Sequence, residues 1–290
     1  MIETAGLTIR VAGREVLRDV SLQIPANSTT VLLGPTGSGK SAILQAAIGI
    51  LRRNSGTISV LGRDPQNRKA ACEIRQMCGF VPQNKSLYGN FSVSEMARFS
   101  RTLYPSWQNH LEARLFDRFE LAPHHIVRDL SATRRALLSM ALALCHKPQL
   151  LLLDEPFDDL DPAAAQMVLE ALVEASGDGT TVVIATNNPE RIENIADQAM
   201  FFQEGMLALA TTVEDIRRNW RRITAHFADN AMLPSLPVSG IEYTRSDGKM
   251  VEWVVSKNAA EIIAVIQSLG ALSVQVDHLT MYSLFSRFPK

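Results

Sequence analysis

Gly34-Pro35-Thr36-Gly37-Ser38-Gly39-Lys40-Ser41 is the stretch that decides the fold. An apolar run with strand character, Thr29-Thr30-Val31-Leu32-Leu33, precedes it, and a helix-like run, Ala42-Ile43-Leu44-Gln45-Ala46-Ala47-Ile48, follows. Strand, glycine loop and helix, with Lys and Ser closing the loop, make a phosphate-binding loop of the form G-x-x-x-x-G-K-[ST]. Glycines allow successive backbone N–H groups to curl around an anion, which a Cβ would obstruct. The helix that follows turns its positive end toward the same anion. Lys40 is expected to reach the β- and γ-phosphates of a nucleotide, and the Ser41 hydroxyl to ligate Mg²⁺.

Further along, four leucines, Leu150 to Leu153, run into Asp154-Glu155. Such a run reads as a strand buried on both faces, with its acids at the carboxyl end where an open parallel sheet binds ligands. Between loop and acids lie a short strand, Met77–Val81, ending at Pro82-Gln83, and a long helical segment. Ser92 and Glu95 fit a capping box that opens a helix at Val93. Trp107, Leu111, Leu115 and Phe119 recur every four residues as an apolar core face. Leu130-Ser131-Ala132-Thr133-Arg134 opens another helix, which Lys147-Pro148 stops. Beyond the acids come a helix over Ala163–Ser176, a strand over Thr180–Thr186, a helix over Pro189–Ala196 and a hairpin over Ala199–Leu207. Alternating buried strands and helices predict a parallel α/β sheet, and the first thirty residues read as β-rich.

The texture changes near residue 220. Strands over Ile223–Ala228, Ile241–Thr244, Met250–Val255 and Leu272–Val276 are expected. So are a helix over Asn258–Leu269, with Asn258 as its cap, and a short helix over Thr280–Phe288. They make a small α+β domain of about seventy residues, without Cys/His ligand spacing or paired acids. Arg217, Arg218, Arg221 and Arg222 bracket Trp220. Nucleic acid or anionic lipid would use such a cluster, but a solvated helix end leading into a linker fits better in a chain of net charge −1. Hydrophobic residues make up 46% and charged residues 20% of the 290 positions, an ordinary globular composition. Three cysteines without ligand spacing fit a reducing cytosol. With neither a long apolar window nor a leader-like start, the chain is expected not to span a bilayer.

In this order, the phosphate loop, Gln83, Leu130-Ser131 and Leu150–Glu155 resemble the nucleotide-binding subunit of an ABC transporter over residues 1 to about 218. The C-terminal part, ending Leu279-Thr280-Met281-Tyr282-Ser283-Leu284-Phe285, more weakly resembles the extension of bacterial exporter ATPases, which often have acids where this chain has Tyr282 and Ser283. The resemblance implies an α/β P-loop NTPase of the ABC ATPase type. Its parts would be a parallel-sheet core, an antiparallel β subdomain and a helical subdomain (about 84–147), followed by an accessory domain over 219–290. It implies MgATP hydrolysis coupled to transport, with export favoured, through separate membrane permease subunits. A second ATPase subunit, the same or different, would complete the site, and no nucleic-acid partner is expected. The location would be cytoplasmic, peripheral on the cell membrane.

By resemblance, Asp154 would hold Mg²⁺ through water and Glu155 would be the general base for the attacking water, jobs that an Asp-Glu pair at a strand end suits. Gln83 looks like the loop glutamine that contacts Mg²⁺ or water and feels the permease. Asp161, in Asp159-Leu160-Asp161-Pro162, looks like the aspartate that crosses the dimer interface; alone, Asp-Pro is a turn and a helix start. Four positions depart from the pattern. The usual LSGGQ signature, which contacts the γ-phosphate on the other subunit, is Leu130-Ser131-Ala132-Thr133-Arg134 here. Ser131 survives, Ala132 and Thr133 add Cβ atoms, and Arg134 is either a cation for that phosphate or an exposed arginine on a divergent helix. The switch histidine is Asn187, which hydrogen-bonds but carries no charge. Val11 stands where an aromatic normally stacks on adenine. Asn27-Ser28 replaces Gly-Glu, with structural effect only. The binding half is thus intact while the switch and trans-acting positions are altered, which predicts retained MgATP binding and slow hydrolysis. The main alternative is a weakly hydrolysing regulatory half of a heteromeric complex. A DNA- or ribosome-directed ATPase would show a coiled-coil insertion, tandem ATPase domains or a basic surface. A kinase or GTPase fits worse, since N-K-x-D is missing.

Overall fold

The computed structural model describes residues 1–228 and 238–286. Two compact units result, Met1–Ala210 and a second beginning at Thr211. Within the second unit, Trp220 closes the helix over Val213–Asn219: its backbone N–H donates to the Ile216 carbonyl and its indole Nε1 donates to Asp215 at 3.0 Å.

In the first unit the strands are β1 (Ile2–Val11), β2 (Arg14–Ile24), β3 (Thr29–Leu33), β4 (Ser55–Val60), β5 (Cys78–Val81), β6 (Leu150–Asp154), β7 (Thr181–Thr186), β8 (Gln198–Gln203) and β9 (Met206–Thr212). The helices are α1 (Lys40–Ala47), α2 (Arg68–Met77), α3 (Val93–Arg101), α4 (Asn109–Arg118), α5 (Ala132–Leu144) and α6 (Pro162–Gly177). A three-stranded antiparallel sheet has the order β2-β1-β4. A six-stranded sheet has the order β5-β6-β7-β3-β8-β9, and β5, β6, β7, β3 and β8 pair in parallel. Residues of β1, β2, α1, β4 and the parallel strands share one apolar core. The leucines of β6 are wholly buried, as the two-faced reading requires. Each such side chain contributes about 2 kcal/mol by its burial.

The helices start where their caps dictate. The Ser92 hydroxyl accepts from Glu95 N–H, and the Glu95 carboxylate accepts from Ser92 N–H, completing the capping box of α3. Leu111, Leu115 and Phe119 are buried along α4, whereas Trp107 precedes the helix and donates to Glu112 Oε2 at 2.7 Å. One expectation is corrected and another refined. Pro189–Ala196 is a series of turns, not a helix. The Thr186 hydroxyl and the Asn188 side-chain Oδ1 there accept from the backbone N–H groups of Asn188 and Glu190, local bonds that compete with a helix start. Asn258 does hold the cap position of the helix over Ala259–Ser268, its carbonyl accepting from Ile262 N–H at 3.0 Å, but it has a left-handed backbone and its side chain donates to the Ser239 carbonyl rather than accepting from the helix.

In the second unit, α7 (Val213–Asn219) is followed by β10 (Arg221–His226), β11 (Ile241–Asp247), β12 (Met250–Val255), α8 (Ala259–Ser268), β13 (Ser273–His278) and α9 (Met281–Phe285). Residues 287 and 288 of the expected last helix lie outside the described residues. The antiparallel order β11-β12-β10-β13 buries Ile223, Val251 and Trp253 against Ile262 and Ile266 of α8. The arginine cluster is engaged locally: Arg222 pairs with Asp277 at 2.6 Å, Arg221 donates to the Arg218 carbonyl at 2.6 Å, and Arg218 meets Glu214 at 3.0 Å. No helix among the described residues is long and apolar enough to cross a membrane.

Candidate functional site

The strand order sets the site. β7 lies between β3 and β6, with Leu33 opposite Thr186 and Ala185 opposite Asp154. The carboxyl ends of three adjacent strands therefore present the glycine loop, Thr186-Asn187 and Asp154-Glu155 side by side. Two strand spacings, about 10 Å, separate the loop's strand from that of the acids. Side chains bridge the gap. Ser41 Oγ donates to Asp154 Oδ1 at 2.9 Å, and Lys40 Nζ lies 4.0 Å from Glu155 Oε1.

Lys40, Asp154 and Glu155 are all buried. Burial pushes the Lys40 amine below its ordinary value, opposed by Glu155 and Asp154. Burial likewise raises the Asp154 carboxyl, offset first by the Ser41 hydroxyl, and raises the Glu155 carboxyl, offset first by the Thr186 hydroxyl and then by the Asn187 backbone. Lys40 Nζ also donates to the carbonyls of Gly34 at 2.6 Å and Pro35 at 3.1 Å, so the cation folds back onto its own loop. Glu155 holds a left-handed backbone, φ +44°, a costly conformation for a residue with a Cβ. Its N–H donates to Ala185 at 2.8 Å, and Asn187 N–H donates to its Oε2 at 3.2 Å.

The loop fits a polyphosphate. The first N–H groups of any helix lack intrahelical acceptors, and α1 begins at Gly39 with no side-chain cap. Ser38 Oγ is buried in the same loop without a hydrogen-bond partner. Gly39 has φ +103°, and a Cβ there would stand 2.7 Å from the Val16 carbonyl; at Gly34 it would stand 2.4 Å from the Phe202 carbonyl. These two glycines are therefore required by packing against neighbouring backbone, a reason additional to the anion itself. Asp154 and Ser41 together offer hard oxygen donors of the kind Mg²⁺ takes.

The other predicted residues are placed as follows. Gln83 is exposed after β5, with Nε2 donating to Asp158 Oδ2 at 3.5 Å. Asn187 is exposed and contributes its backbone N–H to Glu155. Val11 ends β1 and is exposed. Ser131 caps α5, its hydroxyl accepting from Arg134 N–H at 3.2 Å. Arg134 donates to Glu120 Oε2 at 2.7 Å, to the Phe119 carbonyl at 3.1 Å and to the Glu120 carbonyl, so its guanidinium closes the carboxyl end of α4. Asp161 caps α6, accepting from Ala164 N–H at 2.9 Å, with Pro162 in the first turn.

Sequence reasoning missed Lys85. This buried lysine donates to Asp159 Oδ2 at 2.8 Å, to the Gln83 carbonyl at 3.2 Å and to the Glu155 carbonyl at 3.4 Å. Its partners lie up to 74 residues away in the chain. The one local signal is a lysine two places after Gln83.

Comparison with known proteins now bears on this geometry. A family model described as ABC transporter matches residues 17–158. The Nod factor export ATP-binding protein I of Rhizobium johnstonii is 33% identical over 210 residues, 70% of this chain and 67% of its own. The chain belongs to the ABC transporter ATP-binding family. The ABC transporter ATP-binding protein YtrB of Bacillus subtilis is 27% identical to this ATP-binding subunit over 84% of this chain and 85% of its own. An import protein is also similar: the Fe(3+) ions import ATP-binding protein FbpC of Streptomyces coelicolor is 28% identical over 77% of this chain and 64% of its own. Among solved structures, an ATP-binding subunit of an ABC transporter superposes with TM-score 0.69 at 24% identity, covering 75% of this chain and 92% of that one. This last likeness establishes the ABC ATPase fold.

Proposed function

We propose that this subunit couples MgATP binding and hydrolysis to export through separate membrane permease subunits, working as one of two ATPase subunits on the cytoplasmic face of the membrane. The observation that carries the reading is the convergence of Lys40, Ser41, Asp154 and Glu155 at the ends of β3 and β6. Gly34 to Ser41, including Pro35, Thr36 and Gly37, would cradle the phosphates, and Ser41, Asp154 and Gln83 would hold Mg²⁺. The metal would supply neutralisation of phosphate charge. Glu155 would accept the proton of the attacking water; its raised carboxyl and its anchoring by Asn187 N–H suit a base that must be fixed in place. Export rests on the name of the 33% identical relative, and an import relative at 28% stands against it.

Turnover is proposed to be slow. At the switch position Asn187 has no charge to offer, and losing one positioned electrostatic contact lowers a rate by about a hundredfold or more. Ser131 and Asp161 remain candidates for contacts across a subunit interface, although each already caps a helix. Arg134 is a weaker candidate, because a phosphate contact requires it to leave Glu120 and Phe119.

The test is hydrolysis by the full chain assembled with its permease, comparing wild type with Glu155→Gln. MgATP affinity should stay within about threefold while turnover falls by about a hundredfold or more. Failure of the wild type to bind MgATP, or equal turnover in both proteins, would overturn the reading.

A further inference from the structure

Lys85 is the buried charge for which the site as described has no use. It sits in the loop after β5 with φ +43° and is 3% exposed. A buried lysine loses much side-chain freedom and hydration, so it persists where its donors are satisfied. Here three oxygens satisfy them, and they come from two separate segments: Gln83 on its own loop, and Glu155 and Asp159 on the loop after β6. Two further bonds extend the connection. Gln83 Nε2 reaches Asp158 at 3.5 Å, and the Thr133 hydroxyl donates to the Asp159 carbonyl at 2.8 Å.

We propose that Lys85 is a positioning residue that clamps the Gln83 loop, the backbone of Glu155 and the Asp158-Asp159 loop into one unit, with Thr133 fastening the Leu130–Arg134 segment to it. Lys85 touches no reacting atom. It acts through Glu155, whose strained backbone it holds by the carbonyl while Asn187 N–H holds the side chain. Thr133 provides a bond that a glycine at the same place lacks. Through it the segment that would serve a nucleotide on a second subunit is tied to this chain's own base. That last consequence rests on the proposed function; the clamp itself does not.

Hydrogen exchange on the nucleotide-free full chain tests the clamp directly. In Lys85→Met, residues 83–87 and 155–161 should both exchange about tenfold faster or more. Asp159→Asn removes the same ion pair from a side chain that is 42% exposed, so it keeps the test alive if Lys85→Met does not fold. It should loosen the same two segments by about threefold. Thr133→Val should loosen 130–134 and leave 83–87 protected. In turnover, Lys85→Met and Asp159→Asn should lower kcat by about tenfold or more with KM and MgATP affinity within about threefold, whereas a merely structural role would lower binding and turnover together. Unchanged exchange over 155–161 in both variants, or parallel losses of affinity and kcat, overturns the proposal. A wild type that fails to bind MgATP would sink the transport reading and leave the exchange result to decide the clamp.

Discussion

His146 offers a test of the core that holds the site. Its ring is completely buried after α5 and stacks on Tyr104, with centroids 3.9 Å apart and planes 18° from parallel. Neither ring nitrogen has a hydrogen-bond partner of normal geometry, although the backbones of Cys78 and Leu142 approach and partly offset the burial. Burial therefore drops the imidazole from 6.5 to about 4. The unfolded chain takes up a proton below pH 6.5 that the folded chain refuses until about pH 4. This lowered imidazole leaves stability intact above pH 6.5 and reduces it as pH falls through the window. The full loss is about 3 kcal/mol, and at pH 5 it is about 2 kcal/mol relative to pH 8. His146→Phe keeps the stack and removes the titration. Amide exchange protection in α5 and β5, followed from pH 8 to pH 4.5 on the full chain, should fall more steeply in wild type by that amount. Other titrating groups cancel in the difference. Parallel pH dependences would refute the assignment of a buried neutral imidazole.

Other outcomes follow from single contacts. Gly39→Ala should cost about 2 kcal/mol or more and abolish measurable ATP binding, because φ +103° and the Val16 carbonyl leave no room for a Cβ; thermal unfolding and nucleotide titration check it. Arg134→Ala should lower stability by about 1 kcal/mol, and a double-mutant cycle with Glu120→Ala should be non-additive. An additive cycle would argue that the guanidinium works elsewhere. Ser41→Ala should leave metal-free ATP affinity within about threefold and erase about tenfold or more of its enhancement by Mg²⁺, since Ser41 Oγ and Asp154 form a close donor pair beside the loop; calorimetry with and without the metal distinguishes these.

Much of the site could be read from local chemistry. The loop Gly34–Ser41 carries its own strand and helix, and Leu150–Glu155 carries both its burial and its acids. Ser92-Glu95 and Ser131 declared their helices by capping, a contact spanning three residues. What stayed hidden depended on distant partners. Lys85 means nothing until β5 and β6 pair and bring Glu155 and Asp159 beside it. Arg134 reads as a free cation until α4 ends at Phe119 with carbonyls to receive it. Helix α2 was missed because its core-facing stripe is thin, with only Ala71 and Ile74 buried, and its start rests on one Asn67 side chain accepting from Lys69 and Ala70. The helix expected over Pro189–Ala196 failed for the converse reason: Pro189 and Glu190 suit a helix start, but Thr186 and Asn188 capture the backbone first.

The charges around the loop bear on the proposed separation of binding from catalysis in this chain. Asp154 and Glu155 are buried close to Lys40, and Asp158 stands close enough to raise both carboxyls further. Lys85 pairs with Asp159 and lowers the Asp154 carboxyl less than Ser41 or Lys40 does, so it balances that excess only in part. A polyphosphate entering such a place meets repulsion from the carboxylates unless a divalent cation stands between them, which is the position that Ser41 and Asp154 already define. Lys40 Nζ bonds the Gly34 and Pro35 carbonyls, acceptors that hold it over the loop. Grip on the phosphates thus depends on groups this chain holds in full. On the proposed function, speed would depend on a charge at position 187 that it lacks, and on Glu155 as a base held from one side by Asn187 N–H and from the other by Lys85.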